Sequence, residues 1–388
     1  MQNVYLDQAA TSKPEQEVIE AMMPYLTEKY YNPSSLYSKA VNVKKDIENA
    51  RKIIADYINA DSDEIYFTSG GSESNCWAIQ GFVNAQYNYR YKPIILTTKI
   101  EHKSIISCAK NNELSYVRFI SVDENGYVSL YSLESWLAYY VNMARPCSYY
   151  KVIVSIQFAN NEIGTIQNIK EISNIVHHYG ALLHVDAVQA FGQIPIDVNE
   201  LCIDMMSVSG HKIGTPKGIG FLYKKHNVEI APLIFGSQEN GLRGGTENVP
   251  YIIGFGKAVE LLHDNHFMKS WVKRYRDYMI QSLEEIGCKL IGDKHNRLPN
   301  NINIMLPERV SGESMLYMLD MSNIACSTGS ACNSHAVEPS HVLSAIGLSD
   351  DQAARCIRFT LSGDIDTNKI DIVVKEIEKN IKLIGNDM

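Results

Sequence analysis

The first residues of this 388-residue chain, Met1-Gln-Asn-Val-Tyr-Leu-Asp7, lack the basic-then-apolar pattern of an export signal. Nor does any apolar run approach the ~20 residues needed to cross a bilayer. These absences argue against a membrane role and predict a cytoplasmic protein. Eight cysteines, at 76, 108, 147, 202, 288, 326, 332 and 356, show no CxxC spacing. Neither a disulfide framework nor a structural zinc site is therefore expected, nor any other metal. Long runs of like charge are also missing, and the net charge is −8, from 44 acids against 36 bases. Nucleic acid is accordingly not expected as a direct ligand. There is no internal repeat and no low-complexity tract.

What the chain does have is length for two domains and a hydrophobic fraction of 45% to fill their cores. Short apolar runs recur at Ile65–Thr68, Ile94–Thr97, Tyr116–Ile120, Lys151–Ile156, Ala181–Val185, Asp204–Val208 and Ile219–Tyr223. Helical patterns separate them. Ile169, Ile172, Ile175 and Val176 share one helix face, which Gly180 ends. Such alternation predicts an α/β fold with a mostly parallel seven-stranded sheet covered on both faces. After Pro250 a long helical stretch, about 252–285, leads into short strands near Lys289, Asn301–Met305 and Cys356–Leu361. This predicts a smaller α+β domain.

Chemistry concentrates where strands end, as expected for ligands of α/β sheets. Thr68-Ser-Gly-Gly71-Ser72 follows a strand and opens a helix, so its N–H groups and hydroxyls suit a phosphate; plain helix capping is the competing reading. Asp186 ends an apolar strand with no lysine or arginine near it in sequence. A protonated pyridine nitrogen would supply the missing cation; the alternative is a cap for a helix starting near Gln189. Lys212 follows Asp186 by 26 residues, in a tight Ser209-Gly-His211-Lys turn suited to Schiff-base chemistry. Cys332, in Ser327-Thr-Gly-Ser-Ala-Cys, lies in a segment too small and polar for a packed element. It is the candidate nucleophile, with Cys326 the alternative. His102 is placed to stack on an aromatic ring or to serve a structural role. Arg358, on an apolar strand, needs an anion, either a substrate carboxylate or an internal salt bridge. A pyridoxal phosphate enzyme with a cysteine nucleophile satisfies these demands together.

The order of motifs resembles cysteine desulfurases of the NifS/IscS type, within the aminotransferase class V group of fold-type I pyridoxal phosphate enzymes. The matching segments run nearly the whole chain: Tyr5-Leu-Asp-Gln-Ala-Ala-Thr11, Asn32-Pro-Ser-Ser35, Phe67-Thr-Ser-Gly-Gly-Ser-Glu-Ser74, Glu101-His-Lys103, Asn160-Asn-Glu-Ile-Gly164, His184-Val-Asp-Ala-Val-Gln189, Ser209-Gly-His-Lys212, Arg243-Gly-Gly-Thr-Glu-Asn248 and Ser330-Ala-Cys332. The resemblance implies that Lys212 carries pyridoxal 5'-phosphate, Asp186 pairs with its ring nitrogen, Gln189 with its phenolic oxygen, and His102 stacks on it. Gly71, Ser72, Ser209 and His211 would surround the phosphate, with Thr246 supplied by the other subunit of a homodimer. Asn161, Arg358 and Asn32 would take the carboxylate of L-cysteine.

It further implies a large domain over 14–258 and a small domain from 1–13 and 259–388, carrying the cysteine loop at about 323–336. Cys332 would take sulfur as a persulfide and pass it to an acceptor protein, either an iron–sulfur scaffold or a thiolation enzyme. Tyr37, Ser362-Gly363 and the short ending at Met388 depart from many relatives and leave the acceptor and pathway open. A selenocysteine lyase, an aminotransferase or β-eliminating lyase, and a silent sulfur-transfer scaffold are the rival readings.

Overall fold

The computed structural model describes residues 3–87, 92–143, 151–264, 266–328 and 340–386. All seven apolar runs form strands, within a residue of the expected limits: β1 Ile65–Thr68, β2 Ile94–Thr98, β3 Tyr116–Ile120, β4 Val152–Gln157, β5 Leu182–Asp186, β6 Met205–Ser209 and β7 Gly220–Lys224. They make one sheet in the order β1-β7-β6-β5-β4-β2-β3. Strand β7 is antiparallel to both neighbours, and the remaining pairs are parallel.

Every residue of β2, β4, β6 and β7 is buried, as two covered faces require. Successive side chains alternate between the two layers. Phe67, Leu96, Val154 and Phe221 join one apolar cluster, while Tyr66, Ile95, Ile153 and Leu222 pack with Trp77 and Phe82 on the other side. Helix α1 (Gly71–Gln86) follows β1, and α2 (Lys103–Lys110) follows β2. In α3 (Ile169–His178), Ile169, Ile172 and Val176 are buried, each contributing about 1.5–3 kcal/mol. Its Asn168 side chain accepts the Glu171 N–H at the start, and Gly180 takes φ +69° just past the end.

A second apolar cluster gathers Val4 and Leu6 with Met279, Ile302, Phe359 and Ile370. It backs an antiparallel sheet of β8 (Lys289–Leu290), β9 (Asn301–Met305) and β10 (Cys356–Thr360), ordered β10-β9-β8. The helical stretch expected after Pro250 is present at Val249–Asp264 and His266–Glu285. Ile324–Ala325, expected at the start of the cysteine loop, is instead a strand parallel to Val4–Tyr5. Burial of Ile324 in the second cluster explains the difference. Among the described residues no helix is long and apolar enough to cross a membrane. The six described cysteines are all free.

Candidate active site

The carboxyl ends of β1, β2, β4, β5 and β6 converge on a cavity of about 330 Å³. Ten of the residues singled out from the sequence line it: Gly71, Ser72, His102, Asn161, Asp186, Gln189, Ser209, His211, Lys212 and Arg358. Asn32 is not among them. It is exposed, and its Oδ1 accepts the Ser34 N–H at 2.9 Å within its own turn. Thr246 is exposed and also lies off this cavity. Cys332 falls outside the described residues.

Asp186 occupies the last position of β5 and is 6% exposed. Its Oδ2 accepts from Asn75 Nδ2 at 2.7 Å and its Oδ1 from the Val188 N–H at 3.0 Å. Residues 188–193 form turns, so the helix-cap reading of Asp186 finds no helix to cap. Among the described residues no lysine, arginine or histidine nitrogen lies within 4.0 Å of this carboxylate. Behind it sits Glu101, fully buried, accepting from Thr98 Oγ1 and the Gln157 N–H, each at 2.7 Å. Burial, aided by the Asp186 charge, pushes the Glu101 carboxyl up to about 8.

Asn75 is a site residue that the sequence reading missed. Its amide also donates to Ser104 Oγ at 3.0 Å, while its buried Oδ1 has no partner among the described residues. The available signal was its position four residues after Gly71, one helical turn along the face that Gly71 turns to the cavity. His102 caps α2: its Nδ1 accepts the Ser104 N–H at 3.2 Å, which puts the ring proton on Nε2 in the neutral form. The histidine, Ser104, Asn75 and Asp186 thus form one continuous chain of polar contacts.

The other end of the cavity is hydroxyl-rich and close-packed. A side chain at Gly71 would meet Val188 Cγ2 at 2.6 Å, so glycine lets the α1 N-terminus approach the cavity floor. One at Gly210 would meet Thr215 Oγ1 at 2.4 Å, which keeps Ser209 and His211 in their tight turn. Burial, then the Lys212 and Lys217 charges, lower the His211 imidazole to about 4, so it is neutral at pH 7. Its Nδ1 lies 3.2 Å from Thr11 Oγ1. The Lys212 amine donates to the carbonyls of Ala9 and Ala10, the latter at 2.7 Å, and Gln189 Nε2 also donates to Ala9 O, at 3.1 Å.

Arg358 realises the internal salt bridge: Nη2 lies 2.7 Å from Asp7 Oδ1. Its Nη1 donates to the Asn161 carbonyl at 3.1 Å, and its Nε is buried without a partner among the described residues. The same guanidinium lines the cavity wall, so salt bridge and ligand contact are not exclusive. Cys326 is half-buried, and burial pushes its thiol up to about 12.

This donor set fits pyridoxal phosphate. A buried carboxylate without a cationic partner among the described residues, a lysine amine, and hydroxyls at the start of a 16-residue helix match ring nitrogen, aldehyde and phosphate respectively.

Comparison with known proteins agrees. The family profile described as aminotransferase class-V matches residues 4–373. A protein named cysteine desulfurase IscS from Dictyoglomus turgidum is 44% identical, over 97% of this chain and 95% of its own length. A solved NifS-like protein superposes with a TM-score of 0.89 at 32% identity, covering 98% of this chain and 100% of that one. SspA in complex with cysteine superposes with a TM-score of 0.77 at 34% identity, over 92% and 98% of the two chains. With its fold, its cavity residues and its full-length relatives in agreement, the chain belongs to the aminotransferase class-V family, among the cysteine desulfurases.

Proposed function

We propose that this enzyme converts L-cysteine to L-alanine, keeps the sulfur as a persulfide on Cys332, and passes it to an acceptor protein. The observation that carries the reading is the shared cavity of Lys212, Asp186 and Arg358: an amine, an electron-sink partner and a carboxylate anchor. Pyridoxal phosphate would be held by Asp186 at its ring nitrogen, Gln189 at its phenolic oxygen, His102 against its ring, and Ser72, Ser209 and His211 at its phosphate. Bound there, it supplies the electron sink that makes the Cα proton acidic and the Cβ–S bond breakable.

The chain's own groups do the rest. Asn161 and Arg358 hold the substrate carboxylate, and the Lys212 amine moves the proton at Cα, with His102 as the second proton carrier. Cys332, as thiolate, attacks the substrate sulfur: an Sγ–S bond forms as the Cβ–S bond breaks, and the electron pair left on carbon takes up protons to give alanine. One cysteine and one thiol thus become one alanine and one persulfide, with no external oxidant.

The supporting context is consistent with a cytoplasmic homodimer. Free thiols among the described cysteines suit a reducing compartment. Thr246, exposed and off its own cavity, would reach the partner's phosphate. The two apolar clusters support the division into 14–258 and 1–13 with 259–388.

The test is turnover with site mapping. Cysteine should give alanine and protein-bound sulfane sulfur in equal amounts, and borohydride should fix a pyridoxyl group on Lys212. Release of pyruvate instead of alanine would favour a β-eliminating lyase and overturn the assignment.

Arg358→Ala should weaken cysteine binding by ~10- to 100-fold, since a charge-assisted pair is lost, while cofactor content stays full. Titration of the cofactor absorbance with cysteine measures this. Unchanged affinity would leave Arg358 with the Asp7 salt bridge as its whole role.

A further inference from the structure

Glu162 is a carboxylate for which the mechanism above has no use, yet it is 4% exposed. It sits in the turn after β4, where Asn160 Oδ1 accepts the N–H groups of Glu162 and Ile163 at 2.8 and 2.9 Å. Burial pushes its carboxyl up to about 7, against the Ser340 hydrogen bond and the Arg358 and Lys103 charges. Its Oε2 accepts from Ser340 Oγ at 2.5 Å.

Ser340 is itself 6% exposed, and its hydroxyl is fully used. Oγ accepts the N–H groups of Val342 and Leu343, at 3.2 and 3.3 Å, to start the short helix α4 (His341–Ala345). Its single proton is therefore committed to Glu162. Next to it, His341 Nε2 lies 2.9 Å from the Glu101 carbonyl, the residue before His102.

In sequence Ser340 follows Cys332 by eight residues, and Ser327 precedes it by five. Ser327 pairs through its backbone with Arg358, with N···O distances of 3.1 and 2.7 Å. Arg358 in turn donates to the carbonyl of Asn161, beside Glu162. Both roots of the Cys332 segment are thus fastened to neighbouring points of the proposed carboxylate site.

We propose that Glu162 and Ser340 are positioning residues for sulfur transfer: their hydrogen bond pins the C-terminal root of the Cys332 segment to the turn that presents Asn161. This rests on Cys332 being the nucleophile. A buried hydrogen bond that only stabilised the fold would act on every property alike; a positioning contact acts on the step that needs the thiol in place. Misplacement of a reacting group by about 1 Å costs on the order of 100-fold.

The test compares Glu162→Met, which removes the acceptor at similar size, with Glu162→Gln, which keeps an oxygen for the Ser340 hydroxyl. Single-turnover persulfide formation at saturating cysteine should slow ~10- to 100-fold in Glu162→Met. Cofactor content and cysteine affinity should stay within about twofold, and Glu162→Gln should recover most of the rate. Ser340→Gly, which keeps a residue tolerated at the start of a helix, should slow the same step and add little to Glu162→Met. A wild-type rate in Glu162→Met and Ser340→Gly would overturn the proposal. So would parallel losses of rate, affinity and cofactor, or equal slowing by Met and Gln. Cys332→Ser runs alongside: if that variant still forms persulfide, it is the nucleophile assignment that has failed.

Discussion

Replacing Cys332 by serine should lower alanine production by at least about a thousandfold, the scale on which loss of a catalytic nucleophile is felt. The variant should still bind its full complement of pyridoxal phosphate, because none of the described residues lining the cavity is altered. It should also still exchange the substrate Cα proton with solvent deuterium, since that step needs Lys212 and not the thiol. A serine hydroxyl is not ionised near neutral pH and does not take up sulfur, so the reaction stops with the Cβ–S bond intact. Cys326 cannot substitute: with its thiol pushed up to about 12, almost none is thiolate near neutral pH. Cys326→Ser should accordingly turn over normally. Alanine formation at the ordinary rate in Cys332→Ser, or its loss only in Cys326→Ser, would overturn the nucleophile assignment.

The sheet was legible because its strands are short apolar runs, most of them buried on both faces, a pattern that depends on no distant residue. Ile169, Ile172 and Val176 announced α3 in the same way. Ile324–Ala325 was not legible, since two residues make a strand only when a partner, here Val4–Tyr5, lies alongside. The site divides along the same line. Asp186, Lys212 and Ser209 stand at strand ends or tight turns, so sequence alone marked them. Asn75 sits inside a helix and Ala9 and Ala10 contribute carbonyls, and neither leaves a trace in residue type. Asp7 was quoted in a motif, but its pairing with Arg358 spans 351 residues. The Glu162–Ser340 contact spans 178, and nothing local to either residue shows it.

Asp186→Asn should lower turnover by ~100- to 1000-fold, the cost of removing one preorganised electrostatic partner from a water-excluded site. The substitution is isosteric, so the comparison isolates charge. In the native protein each carboxylate oxygen holds one donor, Asn75 Nδ2 and the Val188 N–H, which fixes the group's orientation. Those two neutral donors stabilise the anion without supplying a compensating charge. A protonated ring nitrogen held against Asp186 would supply it, and the buried carboxylate would in turn keep that proton in place. An amide offers one oxygen and no charge, so one of the two native donors loses its acceptor and the ring nitrogen loses its counter-ion. The lost buried hydrogen bond costs about 1–3 kcal/mol, which a domain of ordinary stability, about 5–15 kcal/mol, survives. Cofactor content should remain near full, because Ser72, Ser209, His211 and Lys212 are untouched. Asn75→Ala should fall between the two enzymes, since it removes a positioning donor and leaves the charge. Alanine production together with cofactor released by alkali measures both quantities on one sample. If Asp186→Asn kept more than about a tenth of the native rate, the carboxylate would not be the electronic partner; if it lost the cofactor altogether, its role would be retention rather than activation.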